Sequence, residues 1–150
     1  MTASPALLQS LAALLGPEGH STDQDVIAPK LVEWRGRYRG TTPFLAKPRT
    51  AQEVSRLVRL CADAGAAITP QGGNTGLVAG QIPEGEILLS LERMQAIRAL
   101  SPLNDSVIVE AGATLQAVHD AAAGVNRRVP LTLASQGSAT IGGLISTNAG

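Results

Sequence analysis

Residues 71–80 read Gln71-Gly72-Gly73-Asn74-Thr75-Gly76-Leu77-Val78-Ala79-Gly80, directly after Ala67–Pro70, a short strand-like run. Glycine tolerates positive φ and lets a backbone approach a ligand closely. Four glycines in ten residues therefore let successive N–H groups point into one concavity, which suits a phosphate or pyrophosphate. Asn74 and Thr75 add side-chain donors. A plain glycine-rich turn is the alternative. The spacing 72, 73, 76, 80 does not make G-x-G-x-x-G, and no lysine follows Lys47 to complete a Walker A loop. Backbone amides would have to hold the anion.

A second loop, Gln136-Gly137-Ser138-Ala139-Thr140-Ile141-Gly142-Gly143, runs on to Asn148-Ala149-Gly150. It follows Val129–Leu133, which reads as another strand. Gly142 and Gly143 can open a helix or tight turn whose free amides face the same anion. Ser138, Thr140 and Asn148 offer neutral hydrogen bonds to a polar heterocycle or ribityl chain. Two such loops suit a large dinucleotide better than a lone phosphate.

The rest of the chain alternates strand and helix signals. Ser4, Pro5 and the leucines 7, 8, 11, 14 and 15 predict a helix over 4–15, ended by Gly16. Phe44–Ala46 reads as a strand. Thr50-Ala51-Gln52-Glu53 is a capping box, and Val54, Leu57, Val58 and Cys61 then form one apolar stripe closed by Gly65. With Ala67–Pro70 this makes a right-handed parallel βαβ unit. Ile87–Leu89 suits a buried strand, and Ile97–Leu100 with Val107–Ala111 a hairpin. Thr114 caps a further helix that ends at Gly124. The expected class is α+β, a mixed β-sheet with crossover helices. Cys61 reads as a small core residue.

Composition narrows the function. Twelve Lys and Arg balance twelve Asp and Glu, which argues against general nucleic-acid binding. One Cys excludes an internal disulfide and a Cys-based zinc site. No apolar run is long enough to span a membrane. With no arginine before Arg35 and no lysine in the first 29 positions, the cytoplasm is the default expectation. The charge is uneven: residues 30–59 carry eight bases against Glu33 and Glu53, which fits either an anion-facing surface or a solvated loop and helix face. Trp34, Tyr38 and Phe44, the only aromatics of the Phe, Trp and Tyr type, fall in this stretch and are expected to pack. His20 and His119 read as solvated or structural, and the pairs Asp23/Asp25 and Glu84/Glu86 as loop charges. No metal site is expected.

Three segments together carry a family resemblance. Lys47-Pro48-Arg49-Thr50 with Glu53-Val54, Pro70-Gln71-Gly72-Gly73-Asn74-Thr75-Gly76, and Gly137-Ser138 with Ile141-Gly142-Gly143 and Thr147-Asn148-Ala149-Gly150 resemble the FAD-binding domain of the vanillyl-alcohol oxidase / p-cresol methylhydroxylase superfamily. Within it, the likeness is to D-2-hydroxyglutarate dehydrogenase and related FAD-linked D-2-hydroxyacid (D-lactate) dehydrogenases. It covers roughly residues 30–150. It implies a lead-in over residues 1–40 and an FAD-binding domain over 41–150, with the first subdomain and the start of the second.

The resemblance assigns cofactor contacts to Pro70, Gln71, Gly72, Gly73, Asn74, Thr75, Gly76, Leu77, Gly80, Gly137, Ser138, Ile141, Gly142, Gly143, Asn148 and Gly150. It implies oxidation of a small-molecule 2-hydroxy acid, an external electron acceptor, and a catalytic base and divalent-metal ligands downstream. The chain is thus expected to be an N-terminal fragment, inactive alone, and a homodimer stays open. Asn74 stands where relatives with covalent flavin have His, so FAD is expected to be non-covalent. Leu144 stands where many relatives have Asn. The segment Trp34-Arg35-Gly36-Arg37-Tyr38-Arg39-Gly40 resembles a family lead-in, and it either lines the flavin or substrate side or simply packs. A flavin reductase, a flavin subunit of a larger oxidoreductase, and a non-catalytic nucleotide-binding module are the alternatives.

Overall fold

The structure, a computed structural model, describes residues 3–149. Helix α1 (Pro5–Leu15) starts at Ser4, whose hydroxyl accepts from the Leu7 amide. Strand β1 (His20–Ser21), the short helix α2 (Gln24–Ile27), strand β2 (Leu45–Ala46), helix α3 (Ala51–Asp63), and strands β3 (Ile68–Gln71) and β4 (Ile87–Ser90) follow. These strands form one sheet in the order β1-β2-β4-β3. β2, β4 and β3 run parallel, and β1 pairs antiparallel with β2. A separate antiparallel hairpin, β5 (Ile97–Ser101) and β6 (Ser106–Val109), leads to α4 (Leu115–Ala123) and α5 (Ile141–Ser146).

β4 organises this sheet because all four of its residues are buried. Side chains alternate across a strand, and its two faces meet different partners. Ile87 and Leu89 pack with Ala46, Leu57, Cys61 and the leucines of α1, while Leu88 packs with Leu45, Ile27 and Leu31. The register of Leu45 opposite Leu88 and Ala46 opposite Leu89 puts like faces together. Each fully buried leucine contributes about 1.5–3 kcal/mol of transfer free energy.

The mixed α+β class stands, with several local corrections. β2 and β3 are parallel but not neighbours, because β4 enters between them. Val58 is exposed, so the α3 stripe narrows to Leu57 and Cys61, with Val54 half-buried. Burial pushes the Cys61 thiol pKa up, as expected of a core cysteine. In the capping box the Thr50 hydroxyl accepts from the Glu53 amide at 3.1 Å, but the Glu53 carboxylate accepts from Arg49 rather than Thr50.

Residues 129–133 form no strand. Pro130 has no N–H to give a ladder, and the Leu131 carbonyl accepts from His119 Nε2 at 2.8 Å. Val129, Leu131 and Leu133 instead pack on Leu115, Ala139 and Leu144. Leu144 is thus an apolar core residue. His20 is also structural: its Nδ1–H donates to the Gly16 carbonyl at 2.7 Å, and its ring stacks on Phe44.

Only Phe44 of the three aromatics packs inside. Trp34 is 79% exposed and Tyr38 49%. Their turn is organised instead by Glu33, which is 1% exposed and accepts from the Arg35 and Arg37 amides at 2.6 Å each. Burial acts to raise the Glu33 pKa, but the amide hydrogen bonds from Arg35, Arg37 and Tyr38 outweigh it and hold the carboxyl below its ordinary 4.5. A carboxyl with a depressed folded pKa stabilises the fold fully above its unfolded pKa and loses that contribution as pH falls through the folded value. The turn should therefore open on acidification below about pH 4.5, which the fluorescence of Trp34, the single tryptophan, will report. Glu33→Gln should weaken the turn at neutral pH and flatten this acid limb; an unchanged limb would contradict the assignment.

Candidate functional site

Three parallel strands end on one edge of the sheet, where ligands bind in open α/β sheets. Lys47 follows β2, Glu92 lies just beyond β4, and the first glycine loop follows β3. The Glu92 carboxylate pairs with Lys30 and accepts from the Ser90 hydroxyl. Burial raises the Glu92 pKa, and the Lys30 contact more than reverses this, so the group sits below its ordinary value.

The loop's shape is set differently from the sequence expectation. None of Gly72, Gly73, Gly76 or Gly80 has positive φ; Asn74 (53°) and Ala79 (64°) adopt the left-handed region instead. Asn is among the few residues that accept this conformation readily. Gly72 and Gly73 serve close approach. A Cβ on Gly72 would lie 2.2 Å from Thr140 Oγ1, and one on Gly73 would lie 1.7 Å from the Ser138 carbonyl oxygen. The two loops therefore touch backbone to backbone.

Side-chain amides hold the first loop. Gln71, buried at the end of β3, donates from Nε2 to the carbonyls of Lys30 at 2.9 Å and Gln81 at 3.0 Å. Asn74 Nδ2 donates to the Val32 carbonyl at 2.9 Å. Gln81 Nε2 donates to Asn74 Oδ1 at 3.1 Å and to the Gly76 carbonyl at 2.8 Å. By contrast, no backbone amide from Gly73 to Gln81 donates to an acceptor among the described residues. Pro70 lies within β3 opposite Leu89. Thr75 is half-buried, and Gly76, Leu77 and Gly80 are exposed.

The second loop is a turn closed by the Ser138 and Ala139 amides on the Ser135 carbonyl, at 2.9 and 2.7 Å. α5 opens after Thr140, but its first amides are not all available. Ile141 N–H donates to the Ala113 carbonyl and Gly142 N–H to that of Ala111; only the Gly143 amide lacks an acceptor among the described residues. Gly142 is required by its close approach to Ala111, whose Cβ would lie 2.7 Å away. Gly137 is open, Ser138 presents its carbonyl to Gly73, and Ile141 packs on the small core of Leu115, Ala139 and Leu144. Asn148 is exposed at φ 49°, where it ends α5. Gly150 lies outside the described residues.

Sequence reading missed Gln81. Its only signal is position: an amide side chain ten residues beyond Gln71, between Gly80 and Ile82. Thr140 Oγ1 is the one buried side-chain oxygen or nitrogen without a partner among the described residues. A run of unpaired amides, an unpaired buried hydroxyl beside Gly72 and the close approach of the two loop backbones fit a dinucleotide with an anionic pyrophosphate. No group of three or more His, Cys, Asp or Glu among the described residues could hold a metal ion, and no helix among them is long and apolar enough to cross a membrane.

Comparison with known proteins gives the family. The D-2-hydroxyglutarate dehydrogenase, mitochondrial, of Bos taurus is 37% identical over 130 residues, 86% of this chain and 24% of that protein. A Schizosaccharomyces pombe protein named as a mitochondrial D-lactate dehydrogenase is 32% identical over 151 residues, 95% of this chain and 29% of its own length. The chain thus spans about a quarter of the length of the curated relatives it matches. Their names place them in mitochondria and lend no support to a cytoplasmic location. In fold, p-cresol methylhydroxylase superposes with a TM-score of 0.74 over 95% of this chain and 28% of that one, at 22% identity. The family described as FAD binding domain matches residues 42–150, and the chain belongs to it.

Proposed function

We propose that this chain is the cofactor-holding portion of an FAD-dependent dehydrogenase that oxidises a D-2-hydroxy acid to the 2-oxo acid. The observation that carries the cofactor half is the run of unpaired amides from Gly73 to Gln81. These N–H groups hold the pyrophosphate, with Gly137, Ser138, Gly143 and Asn148 of the adjoining second loop contributing further contacts. Bound FAD supplies the hydride acceptor, which no side chain can provide. This chain's own part is to bind, to orient and to exclude water. The catalytic base, the substrate-binding cation and any divalent-metal ligands belong to other parts of a full-length enzyme, and an external electron acceptor completes the cycle.

The substrate half rests on the relatives' names, D-2-hydroxyglutarate and D-lactate dehydrogenases. The Gln-Gly-Gly-Asn-Thr-Gly form of the first loop favours the hydroxyglutarate branch. Asn74 is committed to Val32 and Gln81, and an amide forms no bond to flavin, so FAD is held without a covalent link.

In a polypeptide of the relatives' full length carrying these residues, FAD should co-purify and its absorbance should bleach with D-2-hydroxyglutarate or D-lactate but not with NADPH. Bleaching by NADPH alone would favour a flavin reductase, and the absence of any bound flavin would leave only a nucleotide-binding module. Acid precipitation should release all of the flavin into the supernatant; yellow, flavin-bearing pellets would overturn the non-covalent assignment. Gly73→Ala puts a methyl group against the Ser138 carbonyl. Overpacking of about 1–3 kcal/mol should weaken FAD binding about tenfold or more, measured by flavin fluorescence titration, while the far-UV circular dichroism is retained.

A further inference from the structure

The first loop keeps its shape through side-chain amides and leaves its backbone amides unspent, and Gln81 is the residue that closes it. Its Nε2 reaches back across the loop to Asn74 Oδ1 and the Gly76 carbonyl, while its own carbonyl accepts from Gln71. Asn74 sits at φ 53° with both ends of its side chain engaged, one on Val32 of the lead-in and one on Gln81. The loop contributes no residue from 72 to 81 to any of the three hydrophobic clusters. Burial therefore does not hold it. Such a segment opens locally at low cost unless polar contacts close it.

We infer that Gln81 is a positioning residue: a clasp that fixes Asn74 and Gly76 so that the amides of residues 73–80 converge before a ligand arrives. The clasp acts through the loop and does not touch the anion. A site whose competent form is only partly populated binds more weakly by that fraction. Removing the clasp thus lowers affinity without altering the amides that make contact. Two lost hydrogen bonds of ordinary net strength correspond to about tenfold or more in that population. The link to FAD rests on the function proposed above, whereas the clasp itself is a property of the chain without ligand.

Gln81→Leu removes the donor, and Gln81→Glu keeps the shape but presents only acceptors to Asn74 Oδ1 and the Gly76 carbonyl. In the free 150-residue chain, nitrogen-15 relaxation should give rigid backbone order parameters of about 0.85 for residues 73–80, falling below about 0.6 in both variants. Their Tm and the order parameters of β4 should stay at wild-type values. FAD titration of the full-length polypeptide should then show a Kd raised about tenfold or more in both variants. A loop that stays rigid in the variants overturns the clasp, as does a Tm loss shared with β4, which would make Gln81 an ordinary scaffold residue. A loosened loop with unchanged FAD affinity overturns its positioning role. If the wild-type polypeptide binds no FAD while the variants loosen the loop, the clasp stands and the FAD reading alone fails.

Discussion

At Gly73 and Ser138 two stretches of backbone meet with no space for a Cβ between them, and the juxtaposition of the two loops depends on that approach. Gly73 lies just past β3, and Ser138 lies after α4, some sixty-five positions later in the chain. Nothing in the main sheet pairs these regions directly. Their relative placement comes from the backbone segment that follows β6, where Gly112 would clash with the Leu91 carbonyl if it carried a Cβ and where Ala111 and Ala113 accept from the first amides of α5. Close backbone approach at both ends fixes the second loop against the first more firmly than side-chain contacts would, because backbone atoms have no alternative rotamers to retreat into.

This explains an apparent waste of hydrogen bonds. In most loops the peptide N–H groups that lack partners face water. Here a run of unpaired amides lies in a segment whose ends are tied by Gln71 and Gln81. Side-chain amides suit that task, because each offers two donors and an acceptor without charge and so does not compete for an anion. Had α5 supplied the anion site through its own N-terminus, Ile141 and Gly142 would need unspent N–H groups. They are spent on Ala113 and Ala111, which under the proposed function leaves the anion to the first loop.

How much of this was legible beforehand follows physical lines. Features governed by local pattern appear in place: the caps at Ser4, Thr50 and Thr114, the buried run at 87–89, and the core role of Cys61. Both glycine segments were visible as dense, unusual composition. The reason for the glycines was not, since a positive φ and a missing Cβ leave the same letter in the sequence, and only the neighbour across the gap tells them apart. Val129–Leu133 has a strand's composition, yet lacks a strand to pair with and yields its carbonyl to His119. Gln81 was invisible because its partners, Asn74 and Gly76, become neighbours only after the loop has closed.

The Glu33 turn extends the same logic to charge. A carboxylate amid so many arginines would ordinarily be expected to form an ion pair, but its oxygens accept from the Arg35 and Arg37 amides. Among the described residues, Arg35, Arg37 and Arg39 form no salt bridge. Their guanidinium groups stand on a segment that Asn74 joins to the first loop through the Val32 carbonyl. Positive charge beside neutral amide donors raises the local potential for an anion. Spending Glu33 on backbone amides therefore shapes the lead-in; its charge still acts on Arg35 through space, but it takes none of the three guanidinium groups into a salt bridge.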